Sequence, residues 1–341
     1  MRLRAALQLL TVILSCCSFA LAQAGPQPPA ECAKYAVVPL PAEAQSVVAP
    51  TASPACASYK SYRGIGRPVN YAAARACAWQ ERLAQKAGYS QNPKEPTAWV
   101  VGGSLILADI YANGAGVERN WPLAMRFACE SEAQTAELAL PEMKKLEATP
   151  DASKRFELCS YAATTFSENF CMGYENEKAA DDREGYYSSL KRSMTPEQQT
   201  AFSVLLAAKN AYIVAHADEV DQGGTIRTIR TMGSQNILEE LFRVELVHFE
   251  RKTWPALSKR QIASADGVLQ RQYAKTLQQL KERPHQDGDG GVTAQQLEGV
   301  EAVWNTYRDA WVAFARARYP DAVDAIRAQI VLDRYRWLRT M

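Results

Sequence analysis

Glu219 and Asp221 flank a single valine, and a Gln-Gly-Gly turn, Thr225, an isoleucine and Arg227 follow at once. Three kinds of chemistry suit such a run. Two carboxylates held about 5–10 Å apart serve as acid and base in glycoside cleavage. An acidic loop faces a basic protein and steers its approach. Alternatively the residues are structural, with Asp221 capping a helix that starts near Thr225 and Arg227 pairing with Glu219. Arg308 and Asp309 form a second candidate, an ion pair on a helix surface, where such pairs contribute less than about 1 kcal/mol. Asp266 stands before a helical run and suits an N-terminal cap. His216, His248 and His285 have neither a neighbouring cysteine nor a paired histidine, so no metal site is expected. The sequence has no G-x-S-x-G nucleophile elbow and no phosphate-binding loop. Gly64-Ile-Gly66 lacks the strand and the third glycine of a dinucleotide fingerprint, and no cofactor is expected.

The elements that must hold these residues read as helices. Trp304, Tyr307, Trp311 and Phe314 recur at spacings of three, four and three, which places them on one stripe of a helix. Asn305, Arg308, Asp309, Arg316 and Arg318 lie on the other side, so the stripe reads as a core-facing surface. Thr195-Pro-Glu-Gln and Ser258-Lys-Arg-Gln read as helix starts, with Gln198 and Gln261 three residues beyond the hydroxyl. Few segments alternate with a period of two, so no sheet of consequence is expected.

The ends and the composition bound the setting. Arg2 and Arg4, an apolar stretch over residues 5–14 and the small residues Ala20, Ala22 and Ala24 read as an export signal over residues 1–24. A competing reading is lipid attachment at Cys16, which the bulky Leu14 fits poorly. No later segment is apolar for long enough to span a membrane. Without Arg2 and Arg4 the 39 basic residues fall to 37, equal to the 37 acidic ones. A neutral chain carries no electrostatic footprint for nucleic acid. Beyond Cys16 and Cys17 six cysteines remain, an even number that points to disulfides in an oxidising compartment. Cys56 and Cys77 are equidistant from the Gly64–Gly66 turn and suit a bridge across a helical hairpin. Cys159 and Cys171 are close in sequence, and Cys32 and Cys129 are left to pair by elimination.

Two internal repeats organise the rest. Residues 25–53, rich in Pro and Ala, read as an extended leader. Tyr62, Gly64, Gly66, Asn70, Tyr71 and Ala74 are echoed by Tyr111, Gly114, Gly116, Asn120, Trp121 and Ala124 at a constant offset of fifty. The glycines allow a tight turn between two helices, and residues 87–97 read as an inserted loop. This region, 54–145, resembles the Sel-one-like branch of the tetratricopeptide repeats. A weaker echo relates Ala180, Asp181 and Tyr187 to Ala265, Asp266 and Tyr273, which suggests halves of about 155–255 and 256–341. Cys159, Cys171, Glu219, Asp221, Gly224, Thr225, Ala265, Asp266, Tyr273 and the run from Trp304 to Phe314 together resemble the lysozyme-inhibitor LprI-like family. That resemblance covers about 151–341 and implies binding and blocking of lysozyme, with no catalysis.

The expectation is therefore an all-α, exported chain: a short Sel-one-like repeat region packed on a helical bundle of two related halves over 150–341. It is expected to be non-catalytic and to bind a protein, with lysozyme or a peptidoglycan-cleaving enzyme as the partner. Glu219, Asp221, Thr225, Arg227, Arg308 and Asp309 are the expected binding residues. The alternatives are an envelope enzyme acting on glycans and a structural adaptor that grips peptides with its repeats.

Overall fold

The computed structural model describes residues 28–47, 57–86, 102–149, 153–253, 257–282 and 290–341. Among the described residues every regular element is a helix, as an all-α chain requires. The proposed signal, Cys16, Cys56, the inserted loop at 87–97 and His285 lie outside them. The chain divides into two compact units, Met1–Ser167 and Glu168–Met341.

In the first unit the described helices are α1 (Cys32–Ala36), α2 (Glu43–Ser46), α3 (Ser58–Arg63), α4 (Tyr71–Lys86), α5 (Gly103–Asn113), α6 (Trp121–Ala128) and α7 (Ala133–Ala148), followed by a 3₁₀ turn at Leu158–Tyr161. The offset of fifty is repeated at the level of single hydrogen bonds. Ile65 N donates to Lys60 O and Ala115 N to Ile110 O, both at 2.9 Å; Asn70 N donates to Ser61 O and Asn120 N to Tyr111 O, again both at 2.9 Å. The Asn70 and Asn120 side chains each cap the next helix by accepting from Ala73 N and Leu123 N. Gly64 and Gly114 end α3 and α5 in the left-handed region, at φ 72° and 64°, where an L side chain is strained. Gly103 lets α5 approach α4 closely: a Cβ there would stand 1.7 Å from the Ala78 carbonyl oxygen.

Within the stretch read as an extended leader, residues 28–47 form a strap with two short helices. Cys32 is bonded to Cys129, as elimination had indicated. Lys144 pairs with Glu31, and Arg126 donates to the Val38 carbonyl. The Glu43 carboxylate accepts from Trp79 Nε1 at 3.2 Å and from the Tyr111 hydroxyl at 2.9 Å, and pairs with Arg75 at 3.0 Å. Cys77, Cys159 and Cys171 are also disulfide-bonded. Residues 153–161 close the unit. Asp109 is fully buried and accepts from Leu158 N at 2.8 Å; burial holds its carboxyl well above the usual carboxylate range. Asn113 binds both the N–H and the carbonyl of Phe156.

The second unit is built on α8 (Thr165–Arg192), α9 (Pro196–Ala215), a 3₁₀ turn at His216–Glu219, α10 (Arg227–Glu250), α11 (Lys259–Glu282), α12 (Ala294–Arg318), a 3₁₀ turn at Pro320–Ala322 and α13 (Val323–Leu338). α12 lies along α9, and α13 along α11. Thr195 with Gln198 and Thr293 with Gln296 form reciprocal capping boxes, and Ser258 with Gln261 exchanges the same bonds. The aromatic stripe of α12 faces inward. Trp304, Tyr307, Trp311 and Phe314 are all buried, and Trp311 Nε1 donates to the Tyr307 hydroxyl at 2.8 Å. Tyr187, Phe202, Phe242 and Phe249 complete the core around them.

Candidate functional site

The chain leaves α9 through one 3₁₀ turn, and that turn aims Glu219 inward. Its carboxylate meets Arg334 of α13 in a two-pronged pair: Nη1 donates to Oε2 at 2.7 Å and Nη2 to Oε1 at 2.5 Å. Arg334 Nε donates to Glu301 of α12 at 3.0 Å, and His216 Nδ1 lies 3.0 Å from Glu219 Oε2. Tyr212 and Trp304 present their rings to the guanidinium at 6.0 and 5.9 Å. All of Arg334, Glu219 and His216 are buried. Burial alone would raise the Glu219 pKa, but hydrogen bonds from Arg334 and His216, with the Arg334 charge, bring it below the usual glutamate value. Glu301, which meets Arg334 Nε at 3.0 Å and Nη2 at 2.9 Å through one oxygen only, stays raised by its burial. This is a charged brace joining three elements.

Two of the structural expectations for this loop are corrected. The partner of Glu219 is Arg334, 115 residues away, and not Arg227. Asp221 does not cap α10, whose N-cap Ile226 supplies no side-chain bond. Asp221 instead closes a tight turn, accepting from Gly223 N at 2.7 Å, and pairs with Arg230 at 3.0 Å. Gly224 takes φ 75° in this turn, and Gly290 packs so closely that a Cβ on it would stand 2.0 Å from Gly223 N. Thr225 and Arg227 are exposed beyond it. Asp266 sits inside α11 and pairs with Arg327 at 2.7 Å; it is not a cap. Arg308 donates to Asn305 and Asp309 on the α12 surface and covers the Trp304 ring at 5.3 Å. The two acids of the 219–221 pair therefore have different fates, one enclosed and one exposed, and are not held as an acid–base couple.

A cleft between α10 and α13 brings together residues that sequence reasoning passed over. Glu245 of α10 and Asp333 of α13 are hydrogen-bonded through their carboxyl groups. Burial first, then the bond to Asp333 and its charge, push the Glu245 pKa well above the ordinary glutamate value. Asp333 also accepts from Gln329 Nε2 at 2.8 Å and pairs with Arg336. The acid pair borders two hollows. One, of about 70 Å³, is walled by Ser234, Leu238, Phe242, Tyr307 and Trp337. The other, of about 270 Å³, is walled by Val244, Trp311, Ile326 and Ile330. Ile237 and Leu241 stand at the rim with 57% and 48% of their surface exposed. Deeper in, Lys209 is buried against Glu239 at 2.7 and 2.9 Å, between the rings of Tyr187 and Phe242, and burial lowers its pKa. One signal for this cleft was legible. Ile237, Leu238, Leu241, Phe242, Val244, Leu246, Val247 and Phe249 surround α10 on every side, more apolar surface than one buried face needs.

No protein-family model, curated protein or solved structure matches this chain.

Proposed function

We propose that the chain is an exported, non-catalytic binding protein that engages another protein through the α10–α13 cleft and the adjoining 219–227 loop. The partner proposed is lysozyme or another peptidoglycan-cleaving enzyme, blocked by occlusion of its sugar-binding cleft. The observation that carries this reading is the pairing of exposed Ile237 and Leu241 with the Glu245–Asp333 acids on one surface. Exposed aliphatic residues beside polar groups are the composition of a recognition patch. The exposed carboxylates of Asp221 on the loop and Asp309 on α12 are the acidic groups offered to a basic enzyme.

Two observations count against the alternatives. Glu219, which a glycan hydrolase would need free, is occupied by Arg334 on both oxygens. The Trp79 and Tyr111 face of the hairpins, where an adaptor would grip a peptide, is covered by the chain's own Glu43.

A turbidity assay on bacterial cell walls tests the proposal. The wild-type chain is expected to slow clearing by added lysozyme, and an Ile237→Glu/Leu241→Glu variant with unchanged helicity is expected not to. Clearing without added lysozyme would overturn the reading.

A further inference from the structure

We propose that a small hollow bordered by α8, α9 and α10 binds a short-chain carboxylate, its carboxyl group held by Tyr187, Lys209 and Arg183. The hollow measures about 180 Å³. It is separate from the α10–α13 cleft, with Lys209 in the wall of both, and it does not depend on the identity of any protein partner.

Helix period brings the donors together. Arg183, Glu184 and Tyr187 share one face of α8, and Leu206 and Lys209 share one face of α9. Glu239 comes from α10, and the three elements meet at the hollow. Lys209 Nζ reaches the two oxygens of Glu239 at 2.9 and 2.7 Å and stands 5.5 Å from the centre of the Tyr187 ring. Arg183 Nε is 3.3 Å from the same carboxylate. Arg183 and Tyr187 are one helical turn apart, so the three donors form a single cluster.

Two observations point to a ligand with acceptor oxygens. First, the Tyr187 hydroxyl has no hydrogen-bond partner among the described residues, although the residue is only 5% exposed. The charges that act most strongly on it are those of Glu239 and Arg183, both in the wall of the hollow, so the hydroxyl belongs to this cluster. Burial, then the Glu239 charge, pushes its pKa upward, and it keeps its proton as a donor. A buried hydroxyl without a partner forfeits the bonds it makes in water. Second, the unused hydrogen-bonding capacity lies with donors. Glu239 is already taken by Lys209 and Arg183, while the third N–H of the Lys209 ammonium and the terminal nitrogens of Arg183 have no bond among the described residues. A guanidinium edge matches a planar carboxylate. The two cations of the wall, Arg183 and Lys209, balance its two acids, Glu184 and Glu239. A monoanion is therefore accommodated, whereas both acids oppose a phosphate dianion and a cation meets Lys209 and Arg183 with Glu239 occupied. Half-buried Leu206 gives a short aliphatic tail its wall.

Titration calorimetry on the full chain with butanoate, butanamide, n-butylammonium and inorganic phosphate tests the site. Butanoate is expected to bind about tenfold more tightly than butanamide, its neutral isostere, and butylammonium and phosphate not measurably. Tyr187→Phe, which removes one oxygen, is expected to weaken butanoate about fivefold and to leave the melting temperature of the ligand-free chain unchanged or raised. A hydroxyl with a purely structural part would lower that temperature and leave binding as it was. Arg183→Gln is expected to weaken butanoate about tenfold. Equal affinity for acid and amide, no heat from butanoate because the hollow holds water only, or butanoate affinity unchanged in both variants overturns the proposal. N-acetylglycine separates the sources: tighter binding than butanoate assigns the site to the terminal carboxylate of a peptide, and weaker binding to a free short-chain acid. The Ile237→Glu/Leu241→Glu variant, altered in the other cleft, is expected to bind butanoate as the wild type does, so failure of the turbidity assay and failure of this titration are read apart.

Discussion

A guanidinium enclosed as fully as that of Arg334 persists because Glu219 and Glu301 meet it from two elements. Removing one partner leaves a buried charge uncompensated. Glu219→Ala is expected to cost about 3–5 kcal/mol in urea unfolding, whereas replacing Arg334, Glu219 and Glu301 together by Met and Leu is expected to recover most of that loss. The two buried glutamates also set opposite pH slopes. Glu219 has its folded-state pKa lowered, so its contribution is present above the free value of 4.5 and is lost as the pH falls through the lowered value. Glu245 has its folded-state pKa raised, so its contribution is present below 4.5 and is lost as the pH climbs through the raised value. Thermal unfolding across pH is expected to show both. Glu219→Gln removes part of the acid-side loss and leaves the slope toward neutral pH. Glu245→Gln reduces that neutral-side slope, leaving the shares of Asp109 and Glu301, whose pKa values burial also raises, and leaves the acid side.

At the scale of elements, the features legible in the sequence are those written within a few residues of one another. The Thr195 and Ser258 boxes and the Gly64 and Gly114 turns are local, and each appears where spacing places it. The α12 aromatic stripe is read from its period alone, and it is buried. The brace was not legible, because Glu219 meets Arg334 across 115 residues and nothing nearby marks Arg334 as its partner. Local proximity suggested Arg227 instead, and helix geometry carried that residue to the surface. The Glu245–Asp333 pair was hidden for the same reason, since each acid is ordinary until the fold brings α10 and α13 to the two walls of one cleft. Gly103 shows how little room the hairpins leave. Gly103→Ala is expected to destabilise the first unit by about 1–3 kcal/mol, as overpacking against the Ala78 carbonyl forces α4 and α5 apart. Gly66→Ala, which meets no neighbouring atom but keeps a positive φ, is expected to cost about 1–2 kcal/mol on the same denaturation curve.

Across the whole molecule, the first unit depends on a strap that its own hairpins hold. The Cys32–Cys129 bond closes a separation of 97 residues, and such closures stabilise by about 2–4 kcal/mol. A Cys32→Ala/Cys129→Ala variant is expected to lose about that much. It is also expected to show red-shifted tryptophan emission as Glu43 withdraws from Trp79. An unchanged spectrum would mean that the ion pair and the Glu43 bonds alone keep the strap seated. The order in which the chain is made gives this latch a further meaning. Residues 28–47 are made before the hairpins that hold them, and Cys129 and Lys144 follow roughly a hundred residues later. Cys56 and Cys77 are made before Cys129, so in an oxidising compartment a new Cys32 thiol would meet them first and would need thiol exchange to reach its own partner.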